Sequence, residues 1–381
     1  MPGPADSLRR LAAEGLLRGL RPLDSATGVR VVREGRELWN FASNDYLGLA
    51  RHPEIEAALI EGVHRYGAGS AASRLVCGSL PPHQMLEAAL AEAKQTQAAL
   101  TFSSGFATAL GVIPAVVGKA DFVFLDKLSH ACLVDAARLS GATLRVFPHN
   151  DLAKLERLLV STRAKSPVAR VLVVTESVFS MDGDLCPLRE IVELTETHAA
   201  LLLLDEAHGF GVLGEHGMGL AEQENLQQRV TFQMGTFSKA AGLSGGYLAA
   251  SQDWIDLLTN RARSFIYSTA PPPALAHAAS ASLTLIRSPA GKSLRVKLQQ
   301  NIARLSPNRT PIIPRVLGTN EAALAAASAL EQAGFLVPAI RYPTVPRGTA
   351  RLRISLSAAH SAEAIHLLVA ALAELNSASQ L

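Results

Sequence analysis

The chain has 381 residues, 48% of them hydrophobic and 18% charged, enough to bury a sizeable core and long enough for two or three packed units. A formal charge of +3 and a pI near 8.8 arise from scattered Lys and Arg with no basic run of five or more, which argues against nucleic-acid and membrane-surface binding and leaves small anionic ligands open. The first residues lack a signal peptide's apolar core, and no segment reaches the ~18 uninterrupted apolar residues of a membrane span. Cys77, Cys132 and Cys186 lie far apart without metal or disulfide spacing, so the expectation is a cytoplasmic protein with reduced, buried or half-buried thiols and no metal.

Residues 7–20 have helical apolar spacing behind an N-cap candidate, and residues 29–41 alternate as a hairpin around Glu34-Gly35, so 1–52 reads as an N-terminal arm. From residue 53 helices alternate with short apolar strands at 122–125, 143–147, 168–175, 200–205, 231–235 and 247–250. That alternation predicts an α/β unit with a mostly parallel sheet covered by helices on both faces. Pro271-Pro-Pro273 breaks the pattern, and residues 287–315 are polar and punctuated by proline, which separates a large domain at 53–287 from a smaller one at 288–381. In the latter a strand at 312–317, a helix at 321–333, a strand at 351–357 and a closing helix at 362–375 predict a small α+β domain.

The most informative pair of segments is Asp205-Glu-Ala-His208, at the end of an apolar strand, and Gly235-Thr-Phe-Ser-Lys239-Ala-Ala-Gly242, one strand later. A lysine among small and hydroxyl residues, together with an acid at a strand's carboxyl end, is what pyridoxal phosphate chemistry needs: an amine for the cofactor's aldehyde and a carboxylate for its pyridine nitrogen. Two rival readings fail on context. Asp205-Glu-Ala-His208 also spells a helicase box, but no phosphate loop stands upstream, since Gly291-Lys-Ser293 has Ile286 where the first glycine belongs. Gly209-Phe-Gly211-Val-Leu-Gly214 matches a dinucleotide fingerprint, but its acid precedes the glycines and Glu215-His-Gly-Met-Gly219 continues as loop.

Ser103-Ser104-Gly105-Phe106 opens a helix after an apolar stretch, and reads either as a plain cap or as a phosphate cradle of backbone amides. Ser129-His130-Ala131 follows the strand at 122–125, and its imidazole can cap the next helix or lie flat on an aromatic cofactor. The run Thr175-Glu-Ser-Val-Phe-Ser180-Met-Asp182-Gly-Asp184 puts hydroxyls and carboxylates at another strand end, in reach of a phenolate oxygen or a substrate.

In order along the whole chain, Phe41-Ala-Ser-Asn44-Asp-Tyr-Leu-Gly-Leu49, Ser73-Arg-Leu-Val-Cys-Gly78 with His83, Ser104-Gly-Phe106, Leu128-Ser-His130-Ala, the run from Thr175 to Gly183, Asp205-Glu-Ala-His208-Gly, Thr236-Phe-Ser-Lys239 and Ile266-Tyr-Ser-Thr269 resemble the α-oxoamine synthases. These are pyridoxal-dependent acyltransferases of the aspartate-aminotransferase fold type. The resemblance implies a mostly parallel seven-stranded sheet of that type and a homodimer with its active site at the subunit interface. The tail Ala339-Ile-Arg-Tyr-Pro-Thr344-Val-Pro-Arg-Gly-Thr-Ala-Arg351-Leu-Arg353 looks like the biotin-pathway branch, which joins L-alanine to a pimeloyl thioester carried by CoA or acyl carrier protein. The glycine acetyltransferase branch is the nearest alternative, and a catalytically dead partner subunit is the alternative from another class.

Position by position, the resemblance implies that Lys239 carries the cofactor and moves the Cα proton, Asp205 pairs with the pyridine nitrogen, His208 and Ser180 contact the phenolate oxygen, and His130 stacks on the ring. Gly105, Phe106 and Thr236 would hold the phosphate, with Thr269 reaching it from the partner subunit. Arg353 would clamp the amino-acid carboxylate with Asn44 nearby, while Arg18 and Thr344 would serve the acyl substrate, with His130 also meeting substrate. Two departures stand out. Gly69-Ser-Ala-Ala-Ser-Arg74 has alanines where the family pattern usually carries glycine, and residues 296–314 are shorter than usual, trimming the edge of the small domain.

Overall fold

The computed structural model describes residues 3–378, and among them the apolar runs form strands β1 (Arg30–Arg33), β2 (Arg36–Asn40), β3 (Ala98–Phe102), β4 (Phe122–Asp126), β5 (Thr143–Phe147), β6 (Val171–Glu176), β7 (Leu201–Asp205), β8 (Phe232–Thr236), β9 (Gly246–Ala250), β10 (Ile312–Gly318), β11 (Phe335–Leu336), β12 (Ala339–Ile340) and β13 (Ala350–Ser355). The described residues divide into two compact units, one of residues 49–180 and 184–295, the other of residues 3–48, 181–183 and 296–378.

The first unit holds a seven-stranded sheet in the order β3-β9-β8-β7-β6-β4-β5. Strands β4 to β8 run parallel, while β9 is antiparallel to both β8 and β3. A parallel sheet covered on both faces needs strands that are apolar on both sides, and every residue of β6, Val171–Glu176, is buried. Because side chains alternate across a strand, Leu172, Val174 and Leu203 join one core cluster with Val112, Ile113 and Leu133 from the helices Gly105–Val116 and Ala131–Leu139. Val173, Leu202 and Leu204 are equally buried on the opposite face. Each such Val or Leu contributes about 1.5–3 kcal/mol when fully buried. The parallel arrangement brings the carboxyl ends of β4, β6, β7 and β8 to one edge, so Asp126, Glu176, Asp205 and Thr236 end their strands side by side. Ligands of open α/β sheets bind at such an edge.

In the second unit β1 and β2 form the expected antiparallel hairpin, which turns at Glu34 and Gly35, both at positive φ, and β11 extends it by pairing in parallel with β2. A second sheet has the order β10-β13-β12. His360 ties this unit together: its Nε2 lies 3.0 Å from the carbonyl of Asn40, its Nδ1 accepts the Ser357 N–H at 3.0 Å, and its ring stacks on Phe41 at 4.2 Å.

Several expectations need correction. Residues 3–48 are not an arm by themselves but cluster with the C-terminal segment. The first helix is Pro4–Ala13 rather than 7–20, because Gly15 turns into the left-handed region at φ 64°. The stretch after residue 287 is helical over Pro289–Ala303, where proline starts the helix without breaking it. Strand β3, absent from the sequence-based set, supplies the seventh strand of the main sheet. Cys77 is exposed, whereas Cys132 and Cys186 are buried.

Candidate active site

Lys239 and His208 come together although one follows β8 and the other β7: Lys239 Nζ lies 3.0 Å from His208 Nε2. Asp205, the last residue of β7, is buried and accepts the Ala207 N–H at 2.9 Å. Burial pushes its carboxyl above the usual range, and the charge of Lys239 opposes that rise. Its register neighbour on β6, Glu176, is also buried; desolvation, with Asp205's charge added, pushes it up to about 8. A fixed cation placed here would meet a buried acid whose charge is otherwise expensive to maintain.

His130 caps the helix Ala131–Leu139: its Nδ1 accepts the Cys132 N–H at 3.2 Å and lies 3.0 Å from Cys132 Sγ. A backbone N–H can only donate, so the proton of the neutral ring sits on Nε2, which becomes the donor end. Its backbone N–H donates to Glu176 Oε1. Desolvation lowers the ring's basicity, with Asp205 opposing. The structure shows the capping role, which uses Nδ1 and so does not exclude a ring face turned to an aromatic cofactor. Ser180 is buried in the loop that follows β6, closed by a bridge between Val178 and Leu185. The two carboxylates of that loop serve the protein itself: Asp182 pairs with Arg351 at 2.6 Å, and Asp184 with His149 at 2.7 Å.

Ser104 caps the helix Gly105–Val116 through Ala107 N–H at 3.0 Å, leaving the first-turn amides of Gly105 and Phe106 without intrahelical acceptors. A Cβ added at Gly105 would sit 3.5 Å from Thr236 Cβ, and one added at Gly246 would come within 2.6 Å of Gly105 N. Gly246 thus lets its backbone approach the helix start closely, while at Gly105 a Cβ would meet only ordinary contact; the free amides of this helix start form a cradle for an anion. The Thr236 hydroxyl donates to the Gly245 carbonyl at 2.7 Å, and Ser238 Oγ lies 2.8 Å from it. With the Thr236 proton on Gly245, Ser238 is the donor in that pair, and this exposed residue, absent from the sequence-based candidates, joins the site as a second hydroxyl. Thr269 lies on an exposed segment that bridges to Ser73. An amine, a buried acid and an anion cradle on one sheet edge fit pyridoxal phosphate in all three of its chemical parts.

The second unit carries the remaining candidates. Arg353 on β13 is buried, and its Nη1 donates to Asn44 Oδ1 at 3.0 Å and to Ser355 Oγ at 2.8 Å. Tyr46 OH donates to Asn44 Oδ1 at 3.1 Å and lies 3.5 Å from Arg353 Nη2, so Tyr46 and Ser355 belong to this cluster although sequence reasoning left them out. Arg18 Nη2 reaches Thr344 Oγ1 at 3.3 Å, at a cavity of about 650 Å³ whose lining also includes Leu17, Arg21, Ile340 and Arg341. Among the described residues there is no cluster of three or more metal-ligating side chains, and no helix is long and apolar enough to cross a membrane.

Residues 36–372 match the model of the aminotransferase class I and II family. The chain is 47% identical to the 8-amino-7-oxononanoate synthase of Geobacter sulfurreducens, over 97% of each chain. Among solved structures it is similar to serine palmitoyltransferase from S. paucimobilis with a bound pyridoxal phosphate–myriocin adduct, at a TM-score of 0.92 and 27% identity, covering 98% of this chain and 96% of that one. It is also similar to the 8-amino-7-oxononanoate synthase of Francisella tularensis, at a TM-score of 0.77 and 26% identity over 90% of this chain and 99% of that one.

Proposed function

Because the chain belongs to the aminotransferase class I and II family and, within it, to the 8-amino-7-oxononanoate synthases, we propose that it condenses L-alanine with a pimeloyl thioester to give 8-amino-7-oxononanoate, CO2 and the free thiol. In this reaction the alanine Cα gives up its proton and forms a bond to the thioester carbonyl carbon, the thiolate leaves, the carboxylate departs as CO2, and a proton returns to Cα. Bound pyridoxal phosphate supplies the electron sink that makes a carbanion at Cα accessible. The observation that carries the reading is the meeting of Lys239, His208 and buried Asp205 at one sheet edge.

Lys239 supplies the amine that holds the cofactor and then takes and returns the Cα proton. Asp205 favours a protonated pyridine nitrogen by its charge. His208 and Ser180 would hold the cofactor's phenolate oxygen. His130 offers its ring face and its Nε2–H, a donor for a substrate oxygen and no base, which leaves proton removal to Lys239. The amides of Gly105 and Phe106, with the Thr236–Ser238 hydroxyl pair, would hold the phosphate. Arg353 holds the amino-acid carboxylate through its fork, which Asn44 orients. Arg18 and Thr344 serve the acyl chain. A cytoplasmic homodimer, with Thr269 contributed across its interface, completes the reading, with CoA or acyl carrier protein as the thiol carrier.

The test is a matrix of two amino acids and two thioesters. Pyridoxal-loaded protein given L-alanine and pimeloyl-CoA should release CoA and yield a product of the expected mass, with little turnover from glycine and acetyl-CoA. The reverse preference would move the protein to the acetyltransferase branch, and absence of any cofactor absorbance would remove the enzyme reading.

A further inference from the structure

His149, two residues beyond β5, touches neither the lysine nor the acid of the site, yet both its ring nitrogens are committed. Nδ1 lies 3.0 Å from Asp126 Oδ1 and Nε2 lies 2.7 Å from Asp184 Oδ2. Ionised carboxylates only accept, so a ring bonded to both must donate from both nitrogens, as an imidazolium. Asn150 Nδ2 lies 3.3 Å from His149 Nε2 and equally far from Asp184 Oδ2; being an amide donor it serves the carboxylate, which leaves the Nε2 proton to Asp184. Asp126 is buried and also accepts the N–H groups of Leu128 and Asn150, each at 2.8 Å. Asp184 Oδ2 also accepts from Asn150 Nδ2 at 3.3 Å, while its Oδ1 is buried without a hydrogen bond among the described residues, and His149 is the cation paired with this carboxylate. The ring sits edge-on to Phe179 with centroids 4.3 Å apart, and Asn150 Nδ2 reaches Leu185 O at 3.2 Å. Asp126 and Asp184 are the charged groups that face it. Burial works against the charge, but the two hydrogen-bonded carboxylates outweigh it and hold the ring's basicity up to about 10.

The position of these two acids gives the contact its meaning. Asp126 ends β4, four residues before His130, and Asp184 follows Ser180 by four in the loop after β6. Strand β4 lies between β5 and β6, so the ring spans three adjacent strand ends. We propose that His149 is a positioning residue that fixes the loop carrying His130 relative to the loop carrying Ser180, by bridging Asp126 and Asp184. The roles of those two loops rest on the function proposed above, whereas the clamp itself does not.

Amide hydrogen exchange on the full-length protein, with and without cofactor, tests it with His149→Gln and with Asp184→Asn, which keeps an acceptor for Nε2 but removes a charge. Residues 127–130 and 178–186 should exchange about ten- to a hundredfold faster in His149→Gln, the scale of lost charge-assisted hydrogen bonds, while the rest of the unit is unchanged. Asp184→Asn should give a smaller effect and bring the His149 ring proton's NMR titration down towards ordinary imidazole. Unchanged exchange in the two loops, a uniform rise across the unit, or an ordinary His149 titration in the parent would each overturn the clamp. Should His149→Gln fail to fold, the Asp184→Asn titration and loop exchange decide alone. If the loops loosen while cofactor affinity and the ratio of kcat to KM stay as in the parent, the clamp stands and the roles given to His130 and Ser180 fall.

Discussion

Lys239 Nζ and His208 Nε2 lie 3.0 Å apart, although they stand on loops that leave different strands. The contact puts the reactive amine beside an imidazole at the edge where the buried Asp205 ends β7. Replacing Lys239 by Ala should abolish the visible absorbance of the bound cofactor and cut turnover by at least about 10⁴, the upper range for a positioned acid–base group. His208→Asn, which leaves the amine in place, should cost only about 10². Absorbance spectra and steady-state rates of both variants check this, and a Lys239→Ala protein that turns over at a tenth of the parental rate would defeat the assignment.

Asp205→Asn separates charge from shape. The buried carboxyl is raised by desolvation, so in the cofactor-free protein it is a cost that the amide lacks. The variant should therefore melt at the same temperature as the parent or higher, while kcat falls by about 10²–10³, the range for removing one preorganised electrostatic partner. Calorimetry of the cofactor-free proteins beside kcat of the loaded ones measures the two effects separately. A parallel loss of stability and rate would make Asp205 a scaffold residue.

Arg353→Lys keeps the cation and removes the fork. Arg353 bonds both Asn44 and Ser355 with one nitrogen and approaches Tyr46 with another, a geometry that an ammonium cannot reproduce. KM for the amino acid should rise about 10- to 100-fold, as expected for a lost charge-assisted hydrogen bond, with KM for the thioester little changed. Equal increases in both KM values would dissociate Arg353 from the amino-acid carboxylate.

The elements that the sequence makes legible are those with strong local signals. Strands β4, β6, β7 and β9 stand out because sheets buried on both faces require nearly unbroken apolar runs, and Asp205 and Lys239 because their strand-end placement is itself a pattern. Strand β3 was hidden because Ala98, Ala99 and Thr101 are neither β-branched throughout nor alternating; its pairing with β9 decides its conformation. Tyr46 and His149 were hidden for a different reason. Their partners, Arg353 for one and Asp126 with Asp184 for the other, are distant in sequence, and no local periodicity records a hydrogen bond made after folding. Ser238 lies in the Gly235–Gly242 motif, but only the structure shows its hydroxyl paired with Thr236.

Ala71, in the stretch where the family pattern favours glycine, has φ of 55°. An L side chain there costs roughly 1–2 kcal/mol, of which glycine recovers part, since its unfolded chain has more conformations to lose. Ala71→Gly should raise the unfolding free energy by about 0.5–1 kcal/mol. Denaturant titration at constant slope reads this directly. A loss of stability would mean that contacts of the methyl group outweigh the backbone strain.

His360 should make stability depend on acid. Its ring is buried against Phe41, donates to Asn40 O and accepts from Ser357 N–H, so a second proton has no partner and must be desolvated. Burial lowers its basicity from 6.5 to about 4. Between these values the unfolded chain binds a proton that the folded chain refuses, so stability rises with pH across that window and is lost as pH falls through it. The full effect at the acid end is about 3 kcal/mol. Denaturant midpoints measured from pH 4 to 7 should therefore be steeper in the parent than in His360→Asn, which cannot titrate and is less stable at neutral pH. Identical slopes in the two proteins would show that carboxylates, not this imidazole, govern acid unfolding.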